Sequence, residues 1–192
     1  MEVRVMAMTD RRRVIQSTGA LMISAVVGGK TLSLSPREAR AAGANFQVIH
    51  DPELIGLVEA IGEVLVPGAR HAGIALFIDS QLARPASESL LLLRYLDINP
   101  PYWPFYRDGL RASDAAARRL HGQGFTALTP AQQTDLIQQI RQGTPAGWQG
   151  PPSPRFYLAL RSDAVDVVYG TEQGFAALGL PYMAHIAPAK QW

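Results

Sequence analysis

The chain has 192 residues, of which 47% are hydrophobic, with 18 Lys and Arg against 16 Asp and Glu; this is enough for one domain with its own core. It contains no cysteine, which excludes disulfides, covalently attached c-type haem, thiolate-held iron–sulfur clusters, cysteine zinc sites and cysteine nucleophiles on this chain. Seven of the basic residues and three of the acidic ones precede Ala42, so 11 basic face 13 acidic residues beyond it, a balance with no basic face for nucleic acid or anionic lipid.

The N-terminal segment reads as an export signal. Arg11, Arg12 and Arg13 form a basic head, and no charged residue follows until Lys30. The uncharged run over residues 14–29 is rich in small residues and falls short of the ~20 apolar residues that span a bilayer. Ala39-Arg40-Ala41 and Ala42-Gly43-Ala44 are small-x-small sites, so cleavage is expected after Ala41 or Ala44. Residues 1–44 are therefore expected to be a removable signal and cleavage region, and residues 45–192 the mature domain. Arg11-Arg12 followed by Arg13, Val14 and Ile15 resembles the twin-arginine pattern, which implies translocation in the folded state to the periplasm. The alternative is a first segment that stays attached, as a basic amphipathic helix or a membrane anchor.

Asp51-Pro52-Glu53 predicts a helix start, with an Asp cap, Pro at the first position and acid in the first turn. Leu54, Leu57, Val58, Ile61, Val64 and Leu65 continue at spacings of three and four until Pro67-Gly68. A second helix is expected over residues 69–82 and a third from Ser87 through Leu90, Leu91, Leu92, Leu93 and Tyr95 toward Ile98. Three prolines interrupt the segment from Asn99 to Tyr106, so helix is expected to resume only over residues 114–119. Gly122-Gln123-Gly124 reads as a break, Thr129-Pro130 as cap and start of a helix to Arg141, residues 143–154 as a loop carrying Trp148, and residues 156–168 as helix. The tail over residues 179–192 is expected to be irregular. With no repeat and no alternation of strands with helices, the expected fold is all-α, a single small orthogonal helical bundle.

The chemical candidates are few. Gly122-Gln123-Gly124-Phe125-Thr126-Ala127 nominally fits a dinucleotide fingerprint but follows no strand. His50, His71, His121 and His185 are scattered without ligand spacing. Glu59 and Glu63 stand four apart and, with Asp79, are the carboxylates a stand-alone enzyme would use. Tyr102, Trp103, Phe105 and Tyr106, flanked by Arg107, concentrate the residue types that dominate protein–protein hot spots. They serve either as a core plug or as a partner interface. Tyr182 and Trp192 in the tail are further interface candidates.

Taken in order, the twin-arginine signal, Val64-Leu65-Val66-Pro67-Gly68-Ala69 leading to Ala75-Leu76-Phe77-Ile78-Asp79, Phe125-Thr126-Ala127-Leu128-Thr129-Pro130, and Val168-Tyr169-Gly170 followed by Gly174 and Gly179 resemble the gluconate 2-dehydrogenase subunit 3 family. The chain departs from that pattern where Pro67 directly precedes Gly68-Ala69, and at Leu180, where Trp is usual. The resemblance implies a non-catalytic small subunit with no catalytic, cofactor or metal residues of its own. It implies a large FAD-containing catalytic partner that oxidises a sugar, sugar acid or alcohol, and a multihaem cytochrome c subunit that carries electrons to the membrane. On the same grounds the chain meets the twin-arginine translocase during export, assists folding and co-export of the flavoprotein, and touches the membrane through the complex alone.

Overall fold

The computed structural model describes residues 21–181. Their first element is not a helix. Ile23–Val27 (β1) and Lys30–Leu34 (β2) pair antiparallel, Ile23 opposite Leu34 and Val27 opposite Lys30. The two residues between them, Gly28 and Gly29, hold φ of 56° and 76°, the positive values a two-residue hairpin turn of the I′ kind requires. Ile23 and Ala25 point into the core at 2% and 3% exposure, while β2 lies mostly on the solvent side. The all-α expectation is therefore corrected: the fold is mainly helical with one two-stranded hairpin. The β-branched residues of β1 belong to a run that reads compositionally as a signal core, and its Gly-Gly turn is legible only once that run is treated as a strand.

Pro36–Ala41 forms α1, opened by a capping box in which the Glu38 N–H donates to Ser35 Oγ and the Ser35 N–H donates to Glu38 Oε2 at 2.8 Å. Ala39 of this helix is wholly buried. The folded body thus extends upstream of Asn45, the boundary expected from the sequence.

The helix at Pro52–Leu65 (α2) starts as its cap residues require, with Asp51 accepting the Glu53 N–H at 2.9 Å, and its stripe of Leu54, Leu57, Val58 and Ile61 is buried. The helix expected over residues 69–82 is split into Ala69–Ala72 (α3) and Ile74–Leu82 (α4). Gly73 causes the break: its φ is 86°, and a Cβ there would collide with the Pro36 carbonyl of α1. Every residue from Ile74 to Gln81 is buried, the mark of a helix surrounded on all sides.

The third expected helix is absent; residues 83–102 hold one 3-10 turn, Leu92–Tyr95. Leu91 and Leu93 are buried while Leu90 is 53% exposed, and the Leu90 N–H donates to the side-chain oxygen of Gln81 at 2.9 Å. Helix resumes earlier than expected, as Trp103–His121 (α5). Pro104 lies in its first turn, where the missing N–H has no partner to lose, so this proline starts a helix that the sequence reading delayed to Asp114. Gly122, with φ 71°, ends it.

After a 3-10 turn at Phe125–Ala127 come Pro130–Gln142 (α6), with the Thr129–Gln132 capping box, Ser153–Tyr169 (α7), and a short Glu172–Ala177 (α8) that the sequence reading missed. The central pair is α2 and α7: α2 packs on α3 through α7, and α7 touches α2 through α6 and α8. The hairpin and α1 cover α4 from the other side. The described helices are too short or too polar to cross a membrane.

Candidate functional site

Each carboxylate that an acid–base site would need is engaged by the chain itself. Asp79, 1% exposed, accepts backbone N–H bonds from Gln47, Val48 and Ile49, all at 2.8 Å. Glu63 accepts from the N–H groups of Gly68 at 2.8 Å and Arg70 at 3.0 Å, so it closes the turn between α2 and α3. Glu59 pairs with Arg40 at 3.3 Å and with Arg70 at 3.9 Å. Glu63 and Arg70 also border an open groove of about 340 Å³ between α2 and α6, but Glu63 faces it with its oxygens already bonded.

The Gly122–Gly124 segment is a helix end and not a phosphate cradle. Asp114 receives the Phe125 N–H at 2.8 Å and the Arg118 guanidinium at 2.7 Å, and a Cβ on Gly124 would come within 2.6 Å of the Asp114 carboxylate. His121 contacts the Gln132 amide through Nδ1 at 3.3 Å, His50 and His71 are exposed, and His185 lies outside the described residues. Among the described residues no three His, Asp or Glu side chains converge as metal ligands.

The aromatic segment divides. Tyr102, Phe105 and Tyr106 are 7%, 8% and 0% exposed, so of the two readings left open the fold places these three in the core. Phe105 meets Tyr106 edge-on at 5.8 Å and Phe156 at 6.3 Å, and Trp148 meets Phe156 at 6.0 Å. They are interior because α5 begins at Trp103, which sends Phe105, Tyr106, Gly109 and Leu110 down one helical face. Trp103 is only half-buried, at the edge of the core, and Arg107 lies at the surface paired with Asp108 at 2.8 Å. These two remain as interface candidates on α5. Tyr182 and Trp192, and the signal residues Arg11 and Arg12, lie outside the described residues.

Two features escaped the sequence reading. The first is Asp163, which accepts the Tyr106 O–H at 2.6 Å and is 1% exposed. Burial, with the Asp166 carboxylate adding to it, pushes its pKa up to about 8 against the opposing pull of the Tyr106 hydrogen bond, and burial pushes the Tyr106 phenol well above its usual range. Nothing marks Asp163 in the sequence, since its partner is 57 positions away. The second is the exposed pair Leu90 and Tyr95, the latter 71% exposed with the Arg94 guanidinium 5.0 Å from its ring centroid.

Neither the curated proteins nor the solved structures provide a match. A family model does: that of gluconate 2-dehydrogenase subunit 3 matches residues 53–185, from the first turn of α2 to beyond α8. Covering more than two thirds of the sequence, that match shows that the chain belongs to the gluconate 2-dehydrogenase subunit 3 family.

Proposed function

We propose that this chain is the non-catalytic small subunit of a periplasmic, membrane-associated dehydrogenase complex, and that it stabilises a flavoprotein catalytic subunit and accompanies it through the twin-arginine route. Family membership carries the reading, because a subunit 3 associates with other subunits of a gluconate dehydrogenase complex. The structure supports it in one respect: Glu59, Glu63 and Asp79, the carboxylates a self-sufficient enzyme would use, hold backbone amides and arginines instead. FAD belongs on the catalytic partner and haem c on a multihaem cytochrome partner. Binding only the folded flavoprotein would stabilise it by about 2.7 kcal/mol when the small subunit is at 100 times its Kd.

The test coproduces the full chain with the flavoprotein and replaces Arg11 and Arg12 by Lys. Dehydrogenase activity outside the cytoplasm should fall to background while cytoplasmic flavoprotein accumulates. Undiminished export of active flavoprotein would refute the co-export role, and turnover of a sugar or sugar acid by this chain alone would refute the non-catalytic one.

A further inference from the structure

We propose that residues 21–44 are retained as a structural layer of the working protein, and that the small-residue sites after Ala41 and Ala44 are closed to processing once the chain has folded. A signal peptidase reads small side chains at the residue before the cut and two residues further upstream, on backbone it can reach. For a cut after Ala41 that upstream residue is Ala39, which is helical and 0% exposed. The N–H groups of both scissile bonds are engaged: that of Ala42 donates to the Glu38 carbonyl at 2.9 Å and that of Asn45 to the Val26 carbonyl at 2.8 Å. The Ala44 N–H donates to the Ala39 carbonyl at 2.9 Å. Either cut therefore demands local opening of α1 or of its junction with the hairpin.

That opening is tied to the interior. Ile23 and Ala25 are core residues, the close approach of Pro36 uses the glycine at position 73, and Arg40 bridges to Glu59 on α2 at 3.3 Å. The segment just beyond, residues 47–49, is held by the buried Asp79 of α4. Loss of residues 21–44 would uncover α4, whose residues 74–81 are all buried and which packs against β1 and α1. On an export route that carries folded chains, folding comes first, so the layer closes before a peptidase meets it. The hairpin and α1 lie upstream of the family match, which begins at residue 53.

The experiment purifies the complex from outside the cytoplasm after coproduction of the full chain with its flavoprotein, then reads the small subunit's intact mass and N-terminal sequence. The expected N-terminus is residue 21 or earlier, and a start at Ala42 or Asn45 would overturn the proposal. If none of the chain leaves the cytoplasm, the export reading has failed, and a second measurement decides retention by itself. The purified full chain is treated with elastase beside a synthetic peptide of residues 33–50. Cleavage after Ala39, Ala41, Ala42 and Ala44 should be at least ~100-fold slower in the folded chain, since it must pass through a rare open state. Equal rates in the two would overturn retention.

Discussion

Tyr106 and Asp163, 57 positions apart on α5 and α7, share a 2.6 Å hydrogen bond in the core, and Asp163 Oδ1 has no partner among the described residues. A carboxylate so placed is held toward its neutral form. Its pKa rises from the ordinary 3.8 to about 8, so the folded state keeps a proton that the unfolded chain releases. Stability from this group is therefore greatest below about pH 4 and declines as pH rises toward about 8, by at most about 1.4 kcal/mol per pH unit. Asp166, also raised by burial, acts in the same direction. Asp163→Asn removes the titration, so in urea unfolding it should gain stability relative to wild type at pH 8 compared with pH 5. Tyr106→Phe, which deletes the bond that opposes the shift, should carry the decline to higher pH at the same slope.

Asp79 gathers three successive backbone amides, and the Ile49 N–H it holds is buried. Asp79→Ala orphans all three, and a loss of about 3 kcal/mol is expected, since each unsatisfied buried donor carries a desolvation penalty. The urea midpoint should drop, and hydrogen exchange at the Ile49 amide should accelerate. Unchanged exchange there would remove Asp79 from its anchoring role.

Gly56 and Gly109 are both interior helix glycines with opposite expectations. A methyl at Gly56 meets nothing within 4 Å, so Gly56→Ala should stabilise α2 by about 0.5–1 kcal/mol. At Gly109 the same methyl would collide with the Phe156 ring, and overpacking of about 1–3 kcal/mol outweighs the helix gain. Thermal unfolding of the two variants should shift in opposite directions.

Trp103 is the half-buried ring of an otherwise buried aromatic group. On the proposed function, Trp103→Ala should weaken flavoprotein binding by about 2 kcal/mol, roughly 30-fold in Kd, and cost the isolated chain less. Binding measured by calorimetry beside chemical unfolding separates the two. Equal losses would assign Trp103 to the core with its neighbours.

Local chemistry accounts for the helix starts that were legible in advance. Asp51-Pro52 and the Thr129–Gln132 pair bond to backbone within three positions, so their effect does not depend on what packs around them. The misreadings at Pro104 and at the leucine run arise because a proline's meaning depends on which turn it occupies, and an apolar run fits a helix or an extended segment until neighbours choose. Leu90's amide was drawn off by Gln81, nine residues upstream.

By itself the sequence determined the thiol-free chemistry, the caps of α2 and α6, the period of the apolar stripe in α2, and the ordered motifs that resemble the subunit 3 family. Tertiary structure alone decided that Ile23, Ala25 and Ala39 are buried, that Tyr102, Phe105 and Tyr106 are interior, and that Glu59 and Asp79 serve as anchors. The reason is separation along the chain. Caps and periodicity act over a turn or two, whereas the Pro36–Gly73, Gln47–Asp79 and Tyr106–Asp163 contacts join positions 30 or more residues apart, which only the packed fold brings together.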